Sequence, residues 1–144
     1  MAGDRRWFFG GGVAAVCCLL SGCGNDKIAT VEGTIYLDGK PLEGAVVEFY
    51  PTHSGGASYG RTDAEGHYEL QYNRNEAGAE IGRHKVQITT FADGGGYGQG
   101  RKELLPTRYN SETELEVEVK RGHNVIDFLE LTSEGKIEEN PRNY

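Results

Sequence analysis

The chain has 144 residues, 37% of them hydrophobic and 26% charged, which supplies one domain core and is too short for two. Its 15 basic and 22 acidic residues give a formal charge of −7, and loss of an N-terminal leader carrying Asp4, Arg5 and Arg6 would leave 13 basic and 21 acidic. These numbers exclude nucleic acid as a partner: binding a phosphate backbone takes clustered cations, and here they stand singly or in pairs such as Arg101-Lys102 and Lys120-Arg121.

Arg5-Arg6 precedes Trp7-Phe8-Phe9, three glycines and the apolar run Val13 to Leu20, the charged-then-apolar layout of a secretory signal. The run falls short of the roughly 20 apolar residues a membrane span needs. The same arginine pair also fits a twin-arginine signal, so the export route stays open between the two. Leu20-Ser21-Gly22-Cys23 resembles the lipobox of bacterial lipoproteins. That resemblance makes residues 1–22 a signal peptide, Cys23 the lipidated new N-terminus and residues 23–29 a tether. It places the protein in the bacterial cell envelope, at the outer membrane or the periplasmic face of the inner one. Cys17 and Cys18 leave with the leader, so the remaining chain has no cysteine pair for a disulfide or a thiolate metal site.

From Val31 the apolar residues recur at every second position, the period of a strand with one buried face. Val31, Gly33, Ile35 and Leu37 form the first such set, turned by Asp38-Gly39-Lys40-Pro41; Ala45, Val47 and Phe49 form the second, ended by Pro51. A polar strand is predicted over 57–62, then a turn at Asp63-Ala64-Glu65-Gly66, then a strand with Tyr68 and Leu70 inward. Val86, Ile88 and Thr90 mark another strand, and Leu115, Val117 and Val119 alternate with glutamates that face water. Lys120-Arg121-Gly122-His123 reads as a hairpin into a last strand over 124–131, whose apolar residues fall on both faces. Residues 132–144 mix charges without period and read as a frayed, charged tail. The whole is predicted to be an all-β, seven-stranded antiparallel sandwich.

Val31-Glu32-Gly33-Thr34-Ile35, Leu37-Asp38-Gly39-Lys40-Pro41-Leu42-Glu43-Gly44-Ala45, Thr62-Asp63-Ala64-Glu65-Gly66-His67-Tyr68 and Gly82-Arg83-His84-Lys85-Val86 together resemble a carboxypeptidase regulatory-like domain. The resemblance covers residues 30–131, and Leu105-Pro106-Thr107-Arg108-Tyr109-Asn110 is similar to a segment of small planctomycete-type lipoproteins. It implies a transthyretin-like sandwich and a binding, adhesion or folding-support module without catalysis. Hydroxyisourate hydrolases share the transthyretin-like topology, but their C-terminal Tyr-Arg-Gly-Ser is replaced here by Asn140-Pro141-Arg142-Asn143-Tyr144.

The sequence offers no catalytic residues, cofactor or metal site on its face. His53, His67, His84 and His123 read as separate surface groups, and no serine has a neighbouring base. Gly94 to Gly100 follows a strand without opening a helix, so it reads as a loop and not a phosphate cradle. Loops on rigid sandwiches contact ligands, and Tyr97, Arg108 and Tyr109 are the predicted contact residues. The expected function is a membrane-anchored, non-enzymatic module that meets envelope proteins or surface polysaccharide. A carbohydrate-binding module with an aromatic platform at Tyr97 is the alternative, and a transthyretin-like hydrolase the third.

Overall fold

Alternating apolar and polar side chains interrupted by Gly, Pro and Asx turns dictate short strands. The computed structural model describes residues 25–94 and 100–141 and is all-β. Cys23 with the leader, Tyr97 within 95–99, and residues 142–144 lie outside the described residues. The strands are β1 (Ile28–Leu37), β2 (Lys40–Pro41), β3 (Val46–Pro51), β4 (Ser58–Arg61), β5 (His67–Glu69), β6 (Gln71–Asn73), β7 (Glu76–Ala77), β8 (Ala79–Glu80), β9 (Gly82–Thr89), β10 (Glu116–Val119), β11 (His123–Val125) and β12 (Phe128–Leu131). A 3-10 turn, Thr107–Tyr109, lies between β9 and β10.

The strands form two sheets in a sandwich-like arrangement. The first is organised around β1. Strands β5 and β11 flank it on opposite edges, since both pair with Glu32, β5 antiparallel through Glu69 and β11 parallel through Val125. Further along β1, β8 and β2 pair antiparallel and β12 parallel. The second sheet is antiparallel throughout, in the order β10-β9-β3-β4-β6-β7.

Three sequence expectations are corrected here. First, the described residues hold twelve strands, most of them short, where seven are predicted, and two of them run parallel to β1. The cause of the parallel pairing is local: residues 120–122 are not a hairpin but carry the chain from β10 in one sheet to β11 in the other, where a crossover can enter in the same direction as its neighbour. Asn124 fixes this passage, its Oδ1 accepting from Lys120 N at 2.9 Å and its Nδ2 donating to the carbonyls of Lys120 at 2.8 Å and Thr30 at 3.1 Å. Second, the first strand starts at Ile28, two residues before the predicted domain start at 30, and Ile81 N donates to Lys27 O. Third, residues 132–141 pack back on the sandwich: Ser133 binds Asp38, Thr107 N donates to Lys136 O at 2.8 Å, and Pro141 is buried. These contacts run through side chains and a 3-10 turn, which leave no periodic trace in a sequence.

The core is where alternation puts it. Val31, Ile35, Val47, Phe49, Tyr68, Leu70, Val86 and Ile88 are all at 3% exposure or less, and each such burial is worth roughly 1.5–3 kcal/mol. The mixed period of the last strand reflects a break between β11 and β12: Phe128 and Leu131 turn inward, Val125 and Leu129 outward. Asp127 bridges the break by accepting from Thr34 N at 2.8 Å. At the Asp63 turn, Asp63 Oδ1 accepts from the backbone of Glu65 and His67, and Gly66 has φ 78°. A Cβ at Gly66 would lie 2.5 Å from Ile35 O, so glycine is required there by both conformation and space. Among the described residues no helix is long and apolar enough to cross a membrane.

Candidate functional site

Alternation stops at the end of β9, because Thr89 and Thr90, consecutive in sequence, are both buried around one carboxylate. Glu103 is itself 6% exposed. Its Oε1 accepts from Thr90 N at 3.1 Å, Thr90 Oγ1 at 3.0 Å, Leu104 N at 3.1 Å and Leu105 N at 3.0 Å, and its Oε2 from the Thr89 hydroxyl. A buried charge is tolerated when its lone pairs are met in this way. The knot holds both stems of the segment 91–101, where Ala92 and Arg101 exchange backbone hydrogen bonds of 3.1 and 2.9 Å. Arg101 ties the stem to the β2–β3 turn, donating from Nη1 to Gly44 O and from Nη2 to Glu43 O.

The stems line a cleft of about 450 Å³ with Phe91, Asp93, Arg101 and Lys102 on one part and Ile137 and Glu139 of the C-terminal segment on another. It offers charge of both signs and the apolar side chains of Phe91, Ala92 and Ile137. Among its described lining residues there is no hydroxyl, thiol or imidazole. Such a surface can recognise a mixed polar and apolar group.

Arg108 and Tyr109, predicted as ligand contacts, are turned inward instead. Tyr109 is 9% exposed and belongs to the core, with the Arg108 guanidinium 4.9 Å over its ring. Arg108 Nη2 donates to Thr132 Oγ1 at 2.6 Å, and Thr132 N donates to the Tyr109 oxygen at 3.3 Å. Burial pushes the Tyr109 phenol up, but hydrogen bonds from Arg108 and Thr132 outweigh it and hold the group below its ordinary value. The pair therefore clasps the C-terminal segment. Its sequence, an arginine beside a tyrosine, is the same for a clasp and for a ligand contact.

The structure also gathers histidines that the sequence leaves scattered. On β1, Glu32 stands directly opposite Glu69 of β5, Thr34 opposite His67, and Thr30 opposite His123 of β11. His67 Nε2 lies 3.3 Å from Glu32 Oε2 and 3.9 Å from Glu69 Oε1; His123 Nε2 lies 2.8 Å from Glu32 Oε1. The outward alternation of Glu32-Gly33-Thr34 and His67-Tyr68-Glu69 is visible in the sequence. What brings them together is the pairing of β1 with β5 and β11, which is not.

At the far end of β9, Glu80 accepts from Tyr72 Oη at 2.8 Å and Gly56 N at 3.1 Å, and faces His53 Nε2 at 3.1 Å. The Tyr72 hydrogen bond is the largest influence holding Glu80 below the usual carboxylate range. His84 is fully buried, its ring edge-on to His53. Its Nδ1 donates to Gly82 O at 3.1 Å, and its Nε2 has no hydrogen-bond partner among the described residues. Burial pushes His84 below its ordinary value, and nearby His53 adds to that while Gly82 O and Glu80 oppose it. His84 is thus neutral in the fold and protonated freely once unfolded. Its contribution is complete above the unfolded value of about 6.5 and is lost as pH falls through the lower folded value. The melting temperature, followed by circular dichroism, is expected to fall from pH 7 to pH 5, above the range in which Glu80 and Asp38 act. His84→Phe should flatten that slope; equal slopes in the two proteins would clear His84 as its cause.

No family model matches the chain, and no curated protein matches it. Among solved structures it is similar to a DUF3823 family protein from Parabacteroides merdae, with 14% identity and a TM-score of 0.38. The match covers 75% of this chain and 46% of that one, so the chain spans about half the length of that protein.

Proposed function

We propose that the chain is a non-enzymatic lipoprotein of the bacterial cell envelope, moored to a membrane by acyl chains on Cys23 and presenting its sandwich to envelope proteins or surface polysaccharide. The observation that carries this reading is Leu20-Ser21-Gly22-Cys23, small residues before a thiol, followed at once by a folded domain. With β1 starting at Ile28, the intervening chain reaches at most about 18 Å, so the module stays close to the bilayer. Acyl burial worth roughly 0.8 kcal/mol per methylene makes two or three chains a firm anchor. The cleft between the 91–101 stems and the C-terminal segment is the proposed contact surface, and its combination of charged and apolar lining side chains supports a binding role.

The sandwich is proposed to be of the carboxypeptidase regulatory-like, transthyretin-like type. The motifs at Val31 to Ile35, Leu37 to Ala45 and Thr62 to Tyr68 support that assignment.

Cells fed a labelled fatty acid are expected to label the native chain, and Cys23→Ser to abolish the label and release the protein from the membrane fraction. Unchanged labelling of the variant would overturn the anchor. The glycan reading has one observation in its favour: Tyr59 on β4 is 47% exposed and shares a shallow depression with Phe91. Retention on a glycan array that disappears with Tyr59→Ala would favour polysaccharide over protein as the partner.

A further inference from the structure

We infer that Glu32, His67 and Glu69 form a site for one divalent first-row transition metal ion, with His123 and Thr30 orienting Glu32 behind it. The inference is independent of the anchor, since it rests on the register of three strands.

Two carboxylates directly opposite each other on neighbouring strands repel and destabilise a sheet. Glu32 and Glu69 are such a pair, and among the described residues their charged or ionisable partners within 4.0 Å are histidines, His67 between both and His123 on Glu32. No lysine or arginine of the described residues serves them. A divalent cation cancels the repulsion and takes neutral imidazole as a ligand at once.

The spacing suits coordination. One ligand atom from each of Glu32, His67 and Glu69 lies within 4.8 Å of the others. Metal–nitrogen and metal–oxygen bonds of 2.0–2.2 Å at tetrahedral angles place neighbouring ligand atoms about 3.4 Å apart. His67 Nε2 to Glu32 Oε2 is 3.3 Å already, and His67 Nε2 to Glu69 Oε1 is 3.9 Å. Glu69, at 69% side-chain exposure, is free of packing that would oppose the remaining rotation.

The support behind Glu32 is built for the purpose. With the Thr30 hydroxyl donating to His123 Nδ1 at 3.0 Å, the imidazole proton sits on Nε2 and is donated to Glu32 Oε1 at 2.8 Å. Glu32 Oε2 is then held toward His67. Hydrogen bonds to ligating carboxylates of this kind fix their orientation and tune affinity. All the groups project from strands whose register is set by backbone ladders, and sites on such elements are more precise than sites on loops. One nitrogen and two carboxylate donors suit zinc and its first-row neighbours. Calcium, which takes six to eight oxygens, is poorly served. A cleft of about 210 Å³ lined in part by Glu32, Glu69 and His123 leaves room beside the cluster for water or a small ligand on the metal.

The test is calorimetric titration of Zn²⁺ into the full chain in detergent at pH 7.5, with its three cysteines alkylated and no polyhistidine tag. One saturating equivalent is expected. His123→Ala should weaken it by roughly 10–100-fold, the usual effect of losing a group that orients a ligand, and His67→Ala and Glu69→Gln by more. His53→Ala should leave it unchanged. Glu69→Gln keeps size and shape, so it separates loss of a ligand from loss of the fold. Absence of saturable binding, binding that survives both His67→Ala and Glu69→Gln, or binding lost with His53→Ala would each overturn the assignment.

Discussion

Glu103→Gln is expected to lower the stability of the chain by about 2–3 kcal/mol, or roughly 10 °C in melting temperature, although the side chain keeps its size and shape. The cause is an environment made only of donors, which calls for a side chain that accepts at both oxygens. Four donors converge on Oε1, from Thr90 N, the Thr90 hydroxyl, Leu104 N and Leu105 N, so a glutamine amide is forced to place its NH₂ where Oε2 stands. There it meets the hydroxyl of Thr89, which can rotate to accept, and Phe91 N at 3.4 Å, which cannot. Every remaining bond loses its charge assistance, about half its strength. Glu103→Ala should be worse still, by a further 1–2 kcal/mol, because it strands buried backbone N–H groups. Because the same knot holds the stems of 91–101, both variants should also raise amide hydrogen exchange at Ala92 and Arg101. A glutamine variant within about 0.5 kcal/mol of the native chain, the scatter of ordinary surface changes, would show that the knot contributes little.

Glu103 also marks the boundary of what the sequence discloses. A carboxylate next to Lys102 reads as one more solvated charge, and only the folded chain shows that Thr89, Thr90 and Glu103 satisfy one another. Elsewhere the reading is direct. Val31, Ile35, Val47, Phe49, Tyr68, Val86 and Ile88 were placed inward by alternation alone, since period two on a half-buried strand identifies its face. Turn chemistry is equally local: Gly66 takes the positive φ expected of it, and the turn expected at 38–41 is made with positive φ at Asp38 and Gly39. Alternation does not say which strand lies beside which. The parallel entry of β11, the meeting of His67 and His123 across β1, and the short strands of 71–80 all depend on that missing information. Arg108 and Tyr109 are engaged by the C-terminal segment for a reason their sequence does not disclose. Their residue types suit a ligand contact, and the C-terminal segment that occupies them has no pattern from which its return could be foreseen.

Gly33→Ala is expected to destabilise the chain by about 3–5 kcal/mol, a large part of the 5–15 kcal/mol that holds a typical domain together. Gly33 lies in the middle of β1, where alanine normally gains roughly 0.5–1 kcal/mol over glycine. Here the gain is overwhelmed, because a Cβ would sit 1.8 Å from Ile126 O and 3.0 Å from Tyr68 Cε1. The chain crosses that point at the break between β11 and β12, pinned by Ile126 N donating to Glu32 O at 2.8 Å and by the Tyr68 hydroxyl donating to Ile126 O at 2.6 Å. A methyl group can enter only by displacing the Ile126 carbonyl, which leaves the Tyr68 hydroxyl in the core without its acceptor. Gly39→Ala supplies the control: its φ of 78° imposes about 1–2 kcal/mol of strain, yet its Cβ would meet nothing within 4 Å. If thermal unfolding finds the two variants equally stable, the carbonyl of Ile126 does not press on Gly33. If it does, Tyr68→Phe should be costly in the native chain and nearly neutral in the Gly33→Ala background, because the bond it removes is already broken there.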